Sequence, residues 1–403
     1  MKLFFKRFIE KLIEGILFLS STVTSLAIVL IVIFLFKEGI SLYNSSPLEN
    51  GFVLLVSSKN PVNKLTAAQT KIIFDQNITN WRTITGKNDT IILLRSETIE
   101  QFFTDSQIGD QLQFLAPNVS KFVDSLPGTI VYLPEKMMAK ATGLKKVEIE
   151  NVGFANFFGG HEWFPTAQPA AQLGVLPLVI GTFLVSFFAI LFALPLGLAT
   201  AIYMAEIADI RMRNILKPII ELLAGIPSVV YGFFGLIVIV PLLQKIFNLP
   251  VGETALAGSI VLAIMALPTI ISISEDALRT TPRAMREASL ALGASKWQTI
   301  SKVVVPYSIS GITAAAILGI GRAVGETMAV LMVTGNAAVM PHTLLEPVRT
   351  IPATIAAELG EAAHGGLHYK ALFALGIILF FITMLINLIV EYVSSRNKLL
   401  KSS

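Results

Sequence analysis

Arg322 and Glu326 stand four residues apart inside "GIGRAVGETMAV" (319 to 330), a stretch otherwise built from small and apolar residues. On a helix, residues i and i+4 share a face and their side chains can touch, so the spacing predicts an ion pair. A guanidinium is also the side chain whose donors match the oxygens of an oxyanion two at a time. A carboxylate beside it would compete for those donors and keep an anion from being trapped, which is what conduction requires. Two readings stay open on these residues alone. One is a self-neutralising pair that holds helices in register. The other is a solute path in which Arg322 meets an anion, with Glu326 as its resting partner and Thr327 as a further lining residue.

Little other chemistry is on offer. The chain has no cysteine, which excludes disulfides, thiolate metal sites and a Cys nucleophile. Its four histidines stand at 161, 342, 364 and 368. His364 and His368 have helical i, i+4 spacing, but Gly365 and Gly366 lie between them, and a solvated loop is expected there in place of a metal pair. An intramembrane enzyme built on Arg322 and Glu326 would lack both nucleophile and base. No metal, cofactor or nucleic-acid partner is expected for this chain.

The elements that must position Arg322 are membrane spans. With 54% hydrophobic and 14% charged residues over 403 positions, the composition is that of an α-helical polytopic membrane protein. Six runs are long and apolar enough to cross a bilayer, at 16 to 36, 175 to 204, 219 to 243, 255 to 274, 306 to 335 and 371 to 393. The first is too long for a signal-peptide core and no small-residue cleavage site follows it, so a signal anchor is expected. Taking Pro306 as the edge of span five, Arg322 lies ~24 Å along it, past the bilayer centre. Gly225, Pro227 and Gly232 are expected to interrupt span three, and Pro268 span four. Gly311, Ala314, Ala315, Gly319, Gly321 and Gly325 give span five a face open to close helix approach.

Lys and Arg set the expected orientation, since short cytoplasmic loops carry them in excess. One set of loops and tails holds Lys2, Lys6, Arg7 and Lys11, then Arg211, Arg213 and Lys217, then Arg279, Arg283, Arg286, Lys296 and Lys302, and last Arg396, Lys398 and Lys401; the short loops opposite hold Lys245, Arg349 and Lys370. Both termini are therefore expected in the cytoplasm of a cell-membrane protein. The chain divides into a tail and first span (1 to 37), an extracytoplasmic insert (38 to 172), a permease-like core (173 to 396) and a terminal tail (397 to 403), the insert being long enough to fold as a domain.

The loop between spans four and five reads "EDALRTTPRAMREASLALGASKWQTISKVVVP" (275 to 306). It predicts a helix from Arg283 to Leu292, a break at Gly293 and a second helix leading to Pro306. Glu287, Ala288, Ser289, Gly293 and Pro306 follow the pattern EAAxxxG…IxLP, with Ser289 for the second Ala and Val303 and Val305 for Ile and Leu. This resembles the loop by which permeases of ATP-binding-cassette importers dock on their ATPase. The chain has no GxxxxGK[ST]; "TGKN" at 85 to 88 lacks the first Gly and the hydroxyl, so ATP would be used by a separate subunit. Read together with "KPIIELLAGIPSVVYGFFGL" and "LGIGRAVGETMAVLMVTGN", the chain resembles the phosphate-specific permeases of the PstC type, closely over 155 to 396 and loosely over the first span. The resemblance implies a type I importer core of five helices after an extra N-terminal span. It also implies a second permease of the PstA type, an ATPase dimer and an extracytoplasmic phosphate-binding protein as partners, besides membrane lipid, and phosphate as the anion at Arg322. A permease for sulfate or molybdate, or a phosphate-sensing membrane component, are the alternatives.

The insert departs from that family, whose connection between the first two spans is short. "VSSKNPVNKLTAAQTKIIFDQNITNWRTITGKNDTIILLRSETIEQFF" (56 to 103) predicts an extended segment, a helix over 65 to 74, a turn and a strand over 91 to 94; "SLPGTIVYLP" and "LKKVEIE" supply further strands. Residues 50 to 150 resemble one α/β lobe of a phosphate-binding protein. Such proteins carry Arg, a few residues, then Ser-Gly-Thr at a helix start, where N–H groups receive an anion. Here Arg95 is followed at once by Ser96, Glu97 and Thr98, and Glu97 would oppose an anion. The resemblance implies a degenerate anion site at Arg95, Ser96 and Thr98, and a lobe that docks a partner. The sequons at Asn44, Asn77, Asn88 and Asn118 are weak signals of glycosylation.

Overall fold

A computed structural model describes residues 2–109 and 112–399, in two compact units: 1–42 with 179–337 and 341–403, and 43–178 with 338–340. Among the described residues six helices are long and apolar enough to cross a membrane: Lys11–Asn44, Leu176–Ile207, Ser228–Phe247, Ala255–Arg279, Lys296–Gly325 and Leu367–Ile389. The protein is a multi-pass membrane protein. The fourth span is the most enclosed, burying Ala255, Ala257, Gly258, Ala263 and Ala266 among its small residues, because small side chains let neighbouring backbones close on it. The first span packs along the sixth through edge-to-face ring pairs, Phe34 with Phe373 at 5.4 Å and Phe36 with Phe381 at 5.8 Å.

The helix breakers act differently from one another. Gly225 and Pro227 do end a helix, Ile210–Ala224, before Ser228–Phe234 begins, and the Tyr231 hydroxyl donates to the freed Leu223 carbonyl at 2.8 Å. Gly232 interrupts nothing; it lets helix Met328–Val333 close in, since a Cβ there would lie 2.9 Å from Cα of Ala329. Pro268 also fails to break its span: Ala255–Arg279 is continuous through it, a lost hydrogen bond that a helix held by neighbours on several sides tolerates. The fifth span begins ten residues before Pro306, at Lys296, instead of at Pro306. A π-turn at Ile300–Val304 widens the helix just ahead of the proline, relieving the clash that a proline ring makes with the preceding turn.

The second unit is an α/β insert. Strand Phe52–Ser57 pairs antiparallel with Thr129–Pro134 on one side and Leu144–Lys146 on the other, and Ile92–Arg95 joins parallel to Thr129–Pro134. Alternation sends Leu54 and Val56 to one face, with Ile73, Phe74 and Trp81, and Val53 and Leu55 to the other, with Leu115, Val119 and Val123. Both faces are covered, which is why the strand reads as an unbroken apolar run. Helix Ala67–Phe74 starts at a Thr66–Gln69 capping box, two residues later than the expected 65.

Candidate translocation path and coupling loop

The fifth span lies antiparallel on the fourth, with Ser308 Oγ 3.1 Å from Thr281 Oγ1 and Gly319 opposite Ile270. That register carries the Arg322 guanidinium to Thr269, near the middle of helix Ala255–Arg279, where Nη1 donates to Oγ1 at 3.3 Å. The expected ion pair with Glu326 does not form. The helix ends at Gly325, and Glu326 adopts extended backbone (φ −69°, ψ 135°). An i, i+4 pair needs a continuous helix; the break turns the carboxylate away, and its Oε1 accepts from the Ala329 N–H at 3.3 Å, at the start of helix Met328–Val333. Among the described residues Arg322 forms no ion pair.

The break frees backbone carbonyls at membrane depth, and side chains take them up. Ser186 Oγ of the second span donates to Ala323 O, and Thr327 Oγ1 to Gly325 O, both at 3.3 Å. Thr327 and Gly325 line an open concavity of about 490 Å³ with Pro352, Ile355 and Leu359. The glycines of this span divide by face. Gly311 and Gly319 are closed on the fourth span, whereas a Cβ at Gly321 or Gly325 would meet nothing within 4 Å.

The loop between spans four and five is tied down by some of the same arginines and lysines whose distribution sets the expected orientation. Arg286 Nη2 donates to Glu206 Oε1 at 2.7 Å and to Leu278 O at 3.0 Å, and Nη1 to Thr281 O. One guanidinium thus joins helix Arg283–Ala291 to the end of the second span and to the last carbonyls of the fourth. Glu275, whose side chain is 1% exposed, gathers Arg213 and Lys217 at 2.9 Å and Arg279 at 3.4 Å. Its hydrogen bond from Lys217 holds that ammonium above the ordinary lysine range. The i, i+4 spacing of Glu275 and Arg279 was the available signal for this cluster.

The rest of the loop is presented outward. No residue of helix Arg283–Ala291 is buried, Glu287 and Ala288 are exposed, and Leu292 and Trp297 are 89% and 63% exposed. Ser289 Oγ lies 3.0 Å from Thr299 Oγ1. Gly293 makes the expected turn at φ +84°, a conformation that side-chain-bearing residues resist, and Ser295 caps the next helix. Pro306 lies well inside the fifth span and does not flank the loop.

In the insert, Arg95 and Thr98 come together but not around an open anion site. Arg95 Nη2 donates to Phe74 O while its guanidinium sits 4.8 Å from the Phe74 ring centroid; Arg95 N donates to Thr98 Oγ1 at 3.1 Å. Ser96 is exposed, and Glu97 lines the same 320 Å³ cavity as Arg95 and Thr98. The two close histidines part company: His368, on the sixth span and not in a loop, bonds Glu358 through Nε2 at 2.8 Å, and His364 packs on Tyr369.

Residues 193–399 match the family of binding-protein-dependent transport system inner membrane components. The chain is 42% identical over 256 residues to the "Probable ABC transporter permease protein YqgH" of Bacillus subtilis, a match covering 64% of this chain and 82% of the relative. It is 39% identical over 267 residues to the phosphate transport system permease protein PstC of Mesorhizobium japonicum, covering 62% and 80%. Against PstC of Pasteurella multocida the identity is 36% over 253 residues, covering 58% and 77%.

Proposed function

The chain belongs to the family of binding-protein-dependent transport system inner membrane components, and from that footing we propose that it is the PstC-type permease subunit of an ATP-driven phosphate importer. A permease of this family works with an ATPase and a substrate-binding protein. In this reading a PstA-type permease completes the path, ATP is hydrolysed on the separate ATPase dimer, and this chain holds no cofactor. Both termini face the cytoplasm and the insert lies outside, as the Lys and Arg distribution favours.

The observation that carries the reading is Arg322. A cation near the middle of a span costs at least ~2.5 kcal/mol unless something meets it. Within this chain a neutral hydroxyl at 3.3 Å meets it, and Glu326 has turned aside. The complement therefore comes from outside the chain, as the transiting anion and the facing permease. A phosphate oxygen pair takes the guanidinium donors that Thr269 leaves open, and with no fixed carboxylate on Arg322 the anion enters without first displacing one. Release is then driven by movement of the bundle, transmitted through the exposed helix Arg283–Ala291, whose Arg286 is anchored to two spans. Glu287, Ala288, Ser289 and Gly293 form the ATPase-facing side of that device.

Uptake of radiolabelled phosphate by cells carrying the chain, with sulfate and molybdate as competitors, tests it. Arg322→Gln is expected to abolish uptake while the ATPase still co-purifies; normal uptake by this variant, or displacement of phosphate by sulfate, would overturn the proposal.

A further inference from the structure

Near the C-terminal end of the insert lies a short helix, Phe154–Gly159, with the sequence FANFFG. Phe157 points inward at 1% exposure, while Phe154 and Phe158, four residues apart, are 66% and 38% exposed with their rings 4.4 Å apart. Two adjoining phenylalanine rings that both face solvent call for a covering surface. Where the helix is pinned says which one. The Tyr43 ring lies 5.6 Å from Phe154 and 6.0 Å from Phe157, and Tyr43 is at the outer end of the first span, Lys11–Asn44. On the other side Val175 N donates to Phe157 O at 2.9 Å, and the next residue, Leu176, begins the second span. Both points at which the insert joins a membrane-crossing helix thus touch this one short helix.

The ends of membrane-crossing helices meet the membrane–water boundary, where aromatic rings are favoured. The polar Asn156 lies between the two rings in sequence and is exposed, as expected of a helix lying along a surface and not entering it. We propose that helix Phe154–Gly159 is an interfacial foot, with Phe154 and Phe158 seated among lipid headgroups and the upper acyl chains. The foot ties the insert to the bilayer in addition to its two covalent connections.

The absence of cysteine makes the test direct. Phe154→Cys and Phe158→Cys are labelled with a nitroxide in the full chain, assembled with its partner subunits in phospholipid vesicles, with Lys87→Cys as an exposed reference on the insert. Power saturation should give oxygen-to-nickel-chelate accessibility ratios severalfold higher at Phe154 and Phe158 than at Lys87. A ratio equal to that at Lys87 would place the rings in water, and shielding from both reagents would place them under a protein partner; either result overturns the proposal. If the cysteine variants do not assemble, Phe154→Trp with brominated lipids decides: quenching beyond that of the wild-type chain supports the foot, and none refutes it.

Discussion

Two arginines, one in each unit, look alike as anion ligands and are treated in opposite ways. Arg95 sits where water is near, yet its guanidinium is committed to the Phe74 carbonyl and ring, with Glu97 beside it. Arg322 sits level with Thr269, near the middle of the fourth span, where an unmet charge is expensive, yet among the described residues the hydrogen-bond partner of its guanidinium is the Thr269 hydroxyl. A cation held by a carbonyl and a ring face in a place that would forgive leaving it open is structural. A cation left open where the surroundings penalise it is held for something that arrives.

The widest gap between the two should appear in transport. Arg322→Gln is expected to lower phosphate uptake about 1,000-fold, the equivalent of ~4 kcal/mol, while Arg95→Gln stays within about twofold. Equal losses in an uptake assay at matched expression would erase the distinction. A third case, the buried Glu275, sharpens it, because here the membrane unit does satisfy its charges. Glu275→Ala leaves Arg213, Lys217 and Arg279 facing one another without the carboxylate between them. Stripping one partner from such a cluster should cost about 3 kcal/mol, read as a lowered melting temperature in detergent and less assembled complex. A variant as stable as the wild type would show that the cluster is solvated and does not hold the bundle end together.

How much of this was legible in the sequence follows from the range of each interaction. The number of spans and the insert strands depend on composition and period, which are local; four spans start within five residues of the expected positions, whereas the third starts nine residues later and the fifth ten earlier. The fate of Glu326 depends on whether a helix continues past Gly325, and an i, i+4 rule is silent on that. Pro227 and Pro268 carry the same residue type and differ in outcome because one sits at a Gly225–Pro227 junction and the other inside the most enclosed helix. Thr269 as the partner of Arg322, and Glu206 as that of Arg286, lie 53 and 80 residues away and come from register alone. By contrast the Ser295–Gln298 capping box could have been read from its spacing, and would have moved the start of span five back from Pro306.

The smallest effect probes the insert's habit of pairing its charges in the open. Lys71 Nζ lies 2.9 Å from Glu162 and 3.5 Å from Asp75, with side-chain exposures of 36%, 40% and 49%. The hydrogen bond to Glu162 is the main cause that raises the Lys71 pKa above the ordinary lysine value of 10.5; partial burial works against it. A lysine whose pKa is higher folded than unfolded stabilises the fold fully below the unfolded value, and that contribution is lost as pH climbs through the folded one. Lys71→Met should therefore destabilise the insert near neutral pH by no more than a few tenths of a kcal/mol, given the solvent screening of exposed pairs. The deficit should shrink once pH passes 10.5, because the wild-type lysine is then losing the same charge. Trp81 and Trp163, both buried in the insert, give a fluorescence readout of its melting. A deficit that stays constant across the alkaline range would mean that Lys71 acts through its packed methylenes, and that this unit's surface charges are ornaments of a fold held by its two apolar layers.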